Sequence, residues 1–263
     1  MKAREVAAAV ERIAPPERGI PGDGQSGWKF GDPEREVRTV AFCWSPTLEV
    51  IERAAQLRID MLVIHEPLLY PDLRSRWYRE APAEEKEVNR RRLDLLRRHN
   101  ICVYGAHSNW DVKEGMGVAD ALGAVMGFEE EVGRGFVCRV YRVPPVSLGA
   151  LAEEVKDKLK VDKVRVVGDL KREVTRVGTM IGGLGQLFTS PEEPWRLGAE
   201  AVIYGEALEY TLRYAVELGL GLIEAGHMAT ENPGIRNFLK ALKEECPELR
   251  TMFLDSGTPW RFL

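Results

Sequence analysis

The sequence predicts an α/β fold with helices covering a largely parallel sheet, on three observations. Short apolar runs alternate along the chain with amphipathic segments of helical length. Imidazoles and carboxylates directly follow several of those runs, and one order of motifs occurs twice. With 263 residues, of which 44% are hydrophobic, the chain is long enough for one large domain or two small ones.

The first half begins with a short amphipathic helix, followed by a loop rich in glycine and proline at residues 16–33. Strands and helices then alternate. The strands are predicted at residues 38–44, 60–64 and 101–107, and the helices at residues 45–58 and 81–100. Ser45 is the expected N-cap of the first of these helices, with Pro46 at its first position.

The second half continues the alternation. Strands are predicted at residues 163–169, 174–183, 199–205, 220–226 and 251–257, and helices at residues 206–219 and 232–245. Residues 141–147 (YRVPPVS) are the best candidate for a boundary between the halves. We therefore expect a single domain made of two lobes, about 1–140 and 141–263.

The composition argues against several classes of protein. The net charge of −4, from 37 basic and 41 acidic residues, gives no electrostatic basis for binding nucleic acid. No apolar run approaches the roughly 18 residues of a membrane span, and the N-terminus lacks the apolar core of a signal peptide. The four cysteines form no C-x-x-C pair, which favours buried, reduced thiols in a cytoplasmic protein.

The two halves align on one another by motif. Each match is a strand followed by polar side chains, and the matching segments are residues 61–70 with 201–210, and 103–111 with 223–231. Equivalent polar residues then follow equivalent strands: Glu66 with Glu206, His107 with His227, and Asp111 with Glu231. Two βαβ halves related by a pseudo-twofold axis would bring these strand ends together, and ligands of open α/β sheets bind at the carboxyl ends of strands.

A buried strand that ends in an imidazole and a carboxylate needs solvent or a positive partner, because an unpaired buried charge is costly. Six groups of this kind follow strands: His65, Glu66, His107, Asp111, His227 and Glu231. A single H-x-x-x-D/E pair can also be a helix cap or a core hydrogen bond, but the three clusters together predict a metal centre. Such donors suit zinc, manganese or iron, and two ions about 3.5–4 Å apart that share a carboxylate would use all six.

Four segments resemble motifs of the Nif-three-like family, whose bacterial members are known as GTP cyclohydrolase I type 2 homologues. Residues 63–70 (VIHEPLLY) resemble the family's strand ending in H-H-P, and residues 105–111 (GAHSNWD) its A-H-T-N-x-D segment. Residues 205–231 resemble the long C-terminal signature that ends in G-H-x-x-x-E. Residues 22–33 (GDGQSGWKFGDP) resemble the D-N-x-G-x-x-x-G-D segment, with Gly24 in place of Asn.

The resemblance implies a fold of two similar α/β lobes with a two-metal site between them. It implies that His65 and His227 bind one ion, whereas Glu66 and Asp111 bind the other. Glu231 would bridge both ions, and His107 would be an additional ligand or lie behind the ligands. Members of the family commonly assemble as ring-shaped hexamers, so the resemblance also implies a homohexamer.

Glu66 departs from the family pattern, which has a second histidine at this position. Either Glu66 remains a ligand, which makes the site more negative and favours harder ions, or it turns away and His107 supplies the missing imidazole.

The expected function is hydrolysis by water activated on two metal ions, with a nucleotide or phosphoester as the small-molecule substrate. Glu206 and His107 are available to assist, although Glu206 also fits as the acidic charge at a helix N-terminus. Residues 181–186 (IGGLGQ) form either an ordinary tight turn or a backbone cradle for phosphate. The alternative is a non-catalytic metal carrier, regulator or interaction scaffold.

Overall fold

The computed structural model describes residues 1–70 and 82–263, and this part of the chain forms strands and helices in alternation. The strands are β1 (Gly27–Phe30), β2 (Thr39–Cys43), β3 (Met61–Ile64), β4 (Cys102–Gly105), β5 (Glu130–Arg134), β6 (Cys138–Ser147), β7 (Arg165–Val167), β8 (Glu173–Met180), β9 (Ala201–Tyr204), β10 (Gly221–Glu224) and β11 (Arg250–Phe253). The helices are α1 (Ala3–Ile13), α2 (Leu48–Gln56), α3 (Glu87–His99), α4 (Ser108–Asp111), α5 (Val118–Met126), α6 (Leu148–Leu159), α7 (Glu192–Arg196), α8 (Glu209–Glu217) and α9 (His227–Glu245). The predicted α/β class is confirmed.

The chain divides into two compact units. The first contains residues 1–110 with 238–261 and 263, and the second contains residues 111–237 with 262. The lobe limits predicted from the sequence fall within β6, and the organisation as two similar lobes of one domain stays a prediction.

The first unit is built on a five-stranded sheet with the order β1-β4-β3-β2-β11. All neighbouring strands in it are parallel except β1, which is antiparallel to β4. Every residue of β3 is buried, as expected for a strand that is covered on both faces. Apolar side chains of α2 and α3, such as Ile51 and Leu96, pack with Leu62 of β3 in one hydrophobic cluster.

Two expectations for the first unit are corrected. The N-cap of α2 is Thr47, whose Oγ1 accepts the backbone N–H of Val50 at 3.2 Å. Ser45 does not cap the helix, because α2 begins at Leu48 and Ser45 lies two residues before the N-cap, where its backbone N–H and C=O are hydrogen-bonded to the hydroxyl of Ser256. Residues 27–30 of the predicted loop form the edge strand β1. The first residue of the helix predicted at 81–100 lies outside the described residues, and α3 occupies the later part of that range.

The second unit has a six-stranded sheet with the order β5-β6-β8-β9-β10-β7. Strands β8, β9 and β10 are parallel, whereas β5, β6 and β8 pair antiparallel, as do β10 and β7. The expectation of a largely parallel sheet therefore holds for the first unit and is wrong for the second. The reason lies in the hairpin β5–β6, since most of β5 (EEVGR) is exposed and its sequence has no apolar run that marks it as a strand.

The two matched segments adopt similar local structure within their own units. β3 pairs in parallel with β4, and β9 pairs in parallel with β10. His107 directly precedes α4, and His227 is the first residue of α9. Helix α9 thus begins five residues before the predicted limit of 232 and contains Pro233. Among the described residues, no helix combines the length and apolar character needed to cross a membrane.

Candidate metal centre

His65 is held by the strand next to its own. It directly follows β3 and is only 2% exposed, and its Nδ1 lies 3.1 Å from the carbonyl oxygen of Ala106. A carbonyl oxygen can only accept a hydrogen bond, so Nδ1 carries the ring hydrogen and Nε2 carries the lone pair. The ring is thereby oriented to bind a metal through Nε2.

His107 has a comparable arrangement with a carboxylate in place of the carbonyl. Its Nδ1 donates to Oδ2 of Asp23 at 3.3 Å. The ring centroids of His107 and His65 lie 4.9 Å apart, and each ring offers a nitrogen within 4.8 Å of the other. Two imidazole donors of the first unit are therefore close enough to share an ion.

Asp23 is itself fixed by the loop around it. Its Oδ1 accepts the backbone N–H groups of Gln25 at 2.8 Å and Ser26 at 3.3 Å, and its Oδ2 also accepts the hydroxyl of Ser108. Burial alone would raise the pKa of Asp23, but the hydrogen bonds from Ser108, Gln25 and His107 outweigh it and lower the pKa to about 2. Asp23 is therefore an anionic acceptor at neutral pH.

Glu66 and Asp111 lie where the sequence analysis expected them, after β3 and after β4. Glu66 is partly buried, and one of its carboxylate oxygens lies within 4.8 Å of a ring nitrogen of His65. Asp111 is buried at the end of α4, four residues after His107. In the first unit, the expected ligand Glu66 thus lies close to the imidazole of His65, whereas Asp111 belongs to the second unit.

In the second unit, His227 lies between two carboxylates. Its Nε2 is 3.3 Å from Oε2 of Glu231, one helical turn further along α9, and its Nδ1 is 3.6 Å from Oε1 of Glu206. Oε1 of Glu206 also accepts the side-chain amide of Gln186 at 2.8 Å. His227 and Gln186 lower the pKa of Glu206, although burial opposes the shift.

The glycine-rich turn lies against His227 and Glu231. Gly182 has a φ of +61°, which favours glycine, and it starts a short 3₁₀ turn over Gly182–Leu184. A Cβ at Gly182 would collide with Oε1 of Glu231 and lie 3.0 Å from Nε2 of His227. The segment forms a short turn whose first glycine leaves room for the donor atoms, and the phosphate cradle stays a prediction.

The donor set fits a metal. His65 and His107 each have Nδ1 next to an acceptor, which leaves Nε2 as the metal-binding nitrogen, and His227 has a carboxylate beside each ring nitrogen. Buried His, Asp and Glu groups of this chain can therefore bind a metal ion.

Sequence reasoning did not identify Asp23 and Gln186 as parts of the site. Asp23 lies 84 residues from His107, and Gln186 lies 20 residues from Glu206. Neither spacing corresponds to a local motif, and the available signals were that Asp23 lies in the family-like segment 22–33 and that Gln186 ends the glycine-rich segment 181–186.

The chain is a protein of the α/β class whose histidine–carboxylate clusters could hold a metal ion. The chain matches the family Duf34/NIF3 (NGG1p interacting factor 3) over residues 1–259, and it belongs to that family. The resemblance found in the sequence is thus confirmed.

Similar proteins extend over nearly the whole chain. A relative from Methanothermobacter thermautotrophicus is 30% identical over 260 residues, covering 95% of this chain and 92% of its own. A relative from Clostridium perfringens is 25% identical over 255 residues, covering 93% and 92%. Both are named "GTP cyclohydrolase 1 type 2 homolog". The crystal structure of a Bacillus cereus protein related to NIF3 superposes with a TM-score of 0.86 at 18% identity, covering 100% of this chain and 99% of that one, which shows the same fold.

Proposed function

We propose that this protein binds two divalent transition-metal ions and uses them to hydrolyse a small nucleotide or phosphoester. The observation that carries the proposal is the grouping of imidazoles with carboxylates: His65 and His107 each have Nδ1 hydrogen-bonded to an acceptor, and His227 lies between Glu206 and Glu231. A histidine whose Nδ1 is fixed by an acceptor presents Nε2 for metal binding. The names of the two relatives support a nucleotide as substrate.

The proposed ligands follow the family resemblance. By that resemblance, His65 and His227 would hold one ion, Glu66 and Asp111 would hold the other, and Glu231 would be shared. Neutral imidazoles and carboxylates are donors for zinc, manganese and iron. Two such ions supply an activated water and positive charge for the oxygens of the substrate.

The protein's own groups orient that chemistry. Ala106 and Asp23 accept hydrogen bonds from the rings of His65 and His107, Glu206 lies beside the ring of His227, and Gly182 keeps side-chain atoms away from the donors of His227 and Glu231. Glu206 is 42% exposed along its side chain and its pKa is lowered by His227 and Gln186, so it is anionic at neutral pH and can accept a hydrogen bond from a substrate or water. We place the protein in the cytoplasm, which agrees with four buried cysteines that form no disulfide.

Elemental analysis combined with a turnover screen tests the proposal. The purified protein is reconstituted separately with zinc, manganese and iron, and about two ions per chain are expected. The loaded and chelated forms are then assayed on nucleoside triphosphates, phosphodiesters and phosphomonoesters. Turnover by the loaded form alone supports hydrolysis. If the protein binds none of the three metals at saturating concentration, the proposed metal binding is contradicted, and the proposed hydrolysis with it.

A metal carrier or scaffold is the second candidate. It is favoured by the side chain of Glu206, which is 42% exposed next to His227, so that a competing ligand for a bound ion can approach from this side. A carrier would bind the same ions, release them rapidly to a competing chelator and show no turnover across the panel. Measured exchange rates therefore separate the two functions.

A further inference from the structure

The loop that contains Asp23 holds its carboxylate in one orientation. Oδ1 accepts two backbone N–H groups, from Gln25 at 2.8 Å and Ser26 at 3.3 Å. Oδ2 faces the other way, toward Nδ1 of His107 and the hydroxyl of Ser108. The Ser108 hydroxyl accepts the backbone N–H of Ile20 at 2.8 Å, which ties the loop to the start of α4. The two oxygen positions of Asp23 therefore face different donors: one faces backbone N–H groups, and the other faces His107 and Ser108.

His107 is also tied to this loop through its backbone, because its N–H donates to the hydroxyl of Ser26 at 3.3 Å. That hydroxyl donates in turn to the side-chain oxygen of Asn109 at 2.7 Å. The side-chain amide of Asn109 donates to the carbonyl of Ala14 at 2.6 Å. The position of the ring is thus fixed on both sides, by its own backbone and by Asp23.

We infer that Asp23 is the positioning residue of His107: it keeps the ring hydrogen on Nδ1 and so makes Nε2 a metal-binding nitrogen. The inference rests on the proposed metal-binding function and assigns His107 the role of a ligand. A metal-binding histidine that donates its other N–H to a carboxylate is fixed in tautomer and becomes a stronger donor. With Nε2 of His107 as a ligand, the site regains the imidazole donor that is lost because Glu66 stands where the family pattern has a second histidine.

The substitution Asp23→Asn should reverse the tautomer. The amide nitrogen cannot accept the backbone N–H groups of Gln25 and Ser26, so the amide oxygen must take the place of Oδ1. The amide NH₂ then faces Nδ1 of His107. Because two donors repel, the ring moves its hydrogen to Nε2 and exposes the Nδ1 lone pair to the amide. Nε2 can no longer bind a metal without losing that hydrogen.

The experiment uses the full-length protein labelled with ¹⁵N at histidine. Long-range ¹⁵N–¹H NMR spectra of the metal-free protein at a pH of about 8, above the usual histidine pKa of about 6.5, report the tautomer of His107. The spectrum of His107→Gln identifies its signals. Zinc affinity is measured in parallel by competition with a chromophoric chelator. Asp32→Asn is the matched control, because Asp32 accepts a backbone N–H from Glu34 at 2.9 Å in the same segment but is exposed.

The expected result is hydrogen on Nδ1 of His107 in the parent and in Asp32→Asn, and on Nε2 in Asp23→Asn. Zinc affinity should fall by about 10- to 100-fold in Asp23→Asn and stay within about twofold in Asp32→Asn. Hydrogen on Nε2 in the parent overturns the inference without any variant, so it can fail even if Asp23→Asn does not fold. A folded Asp23→Asn with the parent's tautomer and affinity overturns it as well. A parent that binds no zinc contradicts the proposed function instead, whichever tautomer it has.

Discussion

The three histidines of the candidate metal centre differ in the strength of the group that orients them. His65 donates to a neutral carbonyl, and His107 donates to the carboxylate of Asp23, which is held within its own loop. His227 faces the half-exposed carboxylate of Glu206 at 3.6 Å. Charge-assisted hydrogen bonds are shorter and stronger than neutral ones, and exposure weakens them. We therefore expect the orientation of His107 to be the most rigid of the three and that of His227 to depend most on a bound ion.

Glu231 is the ligand whose loss should cost the most metal. Removing a carboxylate shared by two cations takes a ligand from both of them. Glu231→Ala should therefore bind no ion tightly, whereas His107→Ala should keep at least one. Elemental analysis after reconstitution and desalting measures the difference. Thr230→Ser, one position away on α9, serves as a control that keeps the hydroxyl. Metal content in Glu231→Ala equal to that of the parent rules out the bridging role.

Glu66 should determine which metal is preferred. A carboxylate in place of a neutral imidazole adds a negative charge and a hard oxygen donor, which shifts preference from zinc toward manganese, iron or magnesium. Glu66→His should restore the preference for zinc and lower the pH optimum of any activity, because a less negative site leaves the ions more electrophilic. Competition experiments with paired metals measure the preference. Unchanged selectivity in both Glu66→His and Glu66→Gln would mean that Glu66 does not contact metal.

At the level of elements, Asp60 joins the starts of β2 and β3. Its Oδ2 accepts the backbone N–H groups of Arg38 and Thr39 at 2.9 and 3.0 Å, and its Oδ1 accepts from the Arg35 guanidinium at 2.8 Å. Burial would raise the pKa of Asp60, but these hydrogen bonds together lower it. The carboxylate therefore fixes where the two strands begin, at the end of the sheet opposite to His65.

We predict that Asp60→Asn lowers the free energy of unfolding at pH 7 by about 1–3 kcal/mol, because the amide turns a donor toward Arg35. The folded pKa lies below the unfolded value of about 3.9, so the contribution is complete above that pH and is lost as the pH falls through the folded pKa. Urea unfolding at a series of pH values should show the parent and Asp60→Asn converging in acid. Glu36→Gln, at an exposed carboxylate, should differ little from the parent at any pH. A difference between parent and Asp60→Asn that stays constant down to the lowest pH contradicts this account.

At the level of the whole molecule, we expect a homohexamer on the basis of the family resemblance. The second unit exposes large apolar side chains near the glycine-rich turn, among them the contacting pair Phe188 and Tyr210, whose ring centroids are 4.8 Å apart. Exposed apolar groups of this kind favour association, since burying them removes apolar surface from water. Light scattering at micromolar concentration should report a mass six times that of the chain, in the metal-loaded and chelated forms alike. A stable monomer under these conditions contradicts the expectation.

The sequence by itself determined the α/β class, the core strands and the residues able to bind metal. Strands such as β3 and β9 are continuous apolar runs, and buried strands of this kind are recognised locally. The H-x-x-x-D/E pairs are also local, because a helix brings residues four apart onto one face. These features depend on neighbours in the chain, which is why they could be predicted.

The tertiary structure alone decided the antiparallel hairpin of the second sheet and the partners that orient the histidines. β5 is a strand because β6 supplies its hydrogen-bond partners, whereas its own exposed, charged residues carry no strand pattern. Asp23 meets His107, and Gln186 meets Glu206, through folding that joins distant parts of the chain. Such contacts depend on how separate elements pack against one another. A sequence pattern describes only neighbouring residues, so it does not predict which distant residues meet.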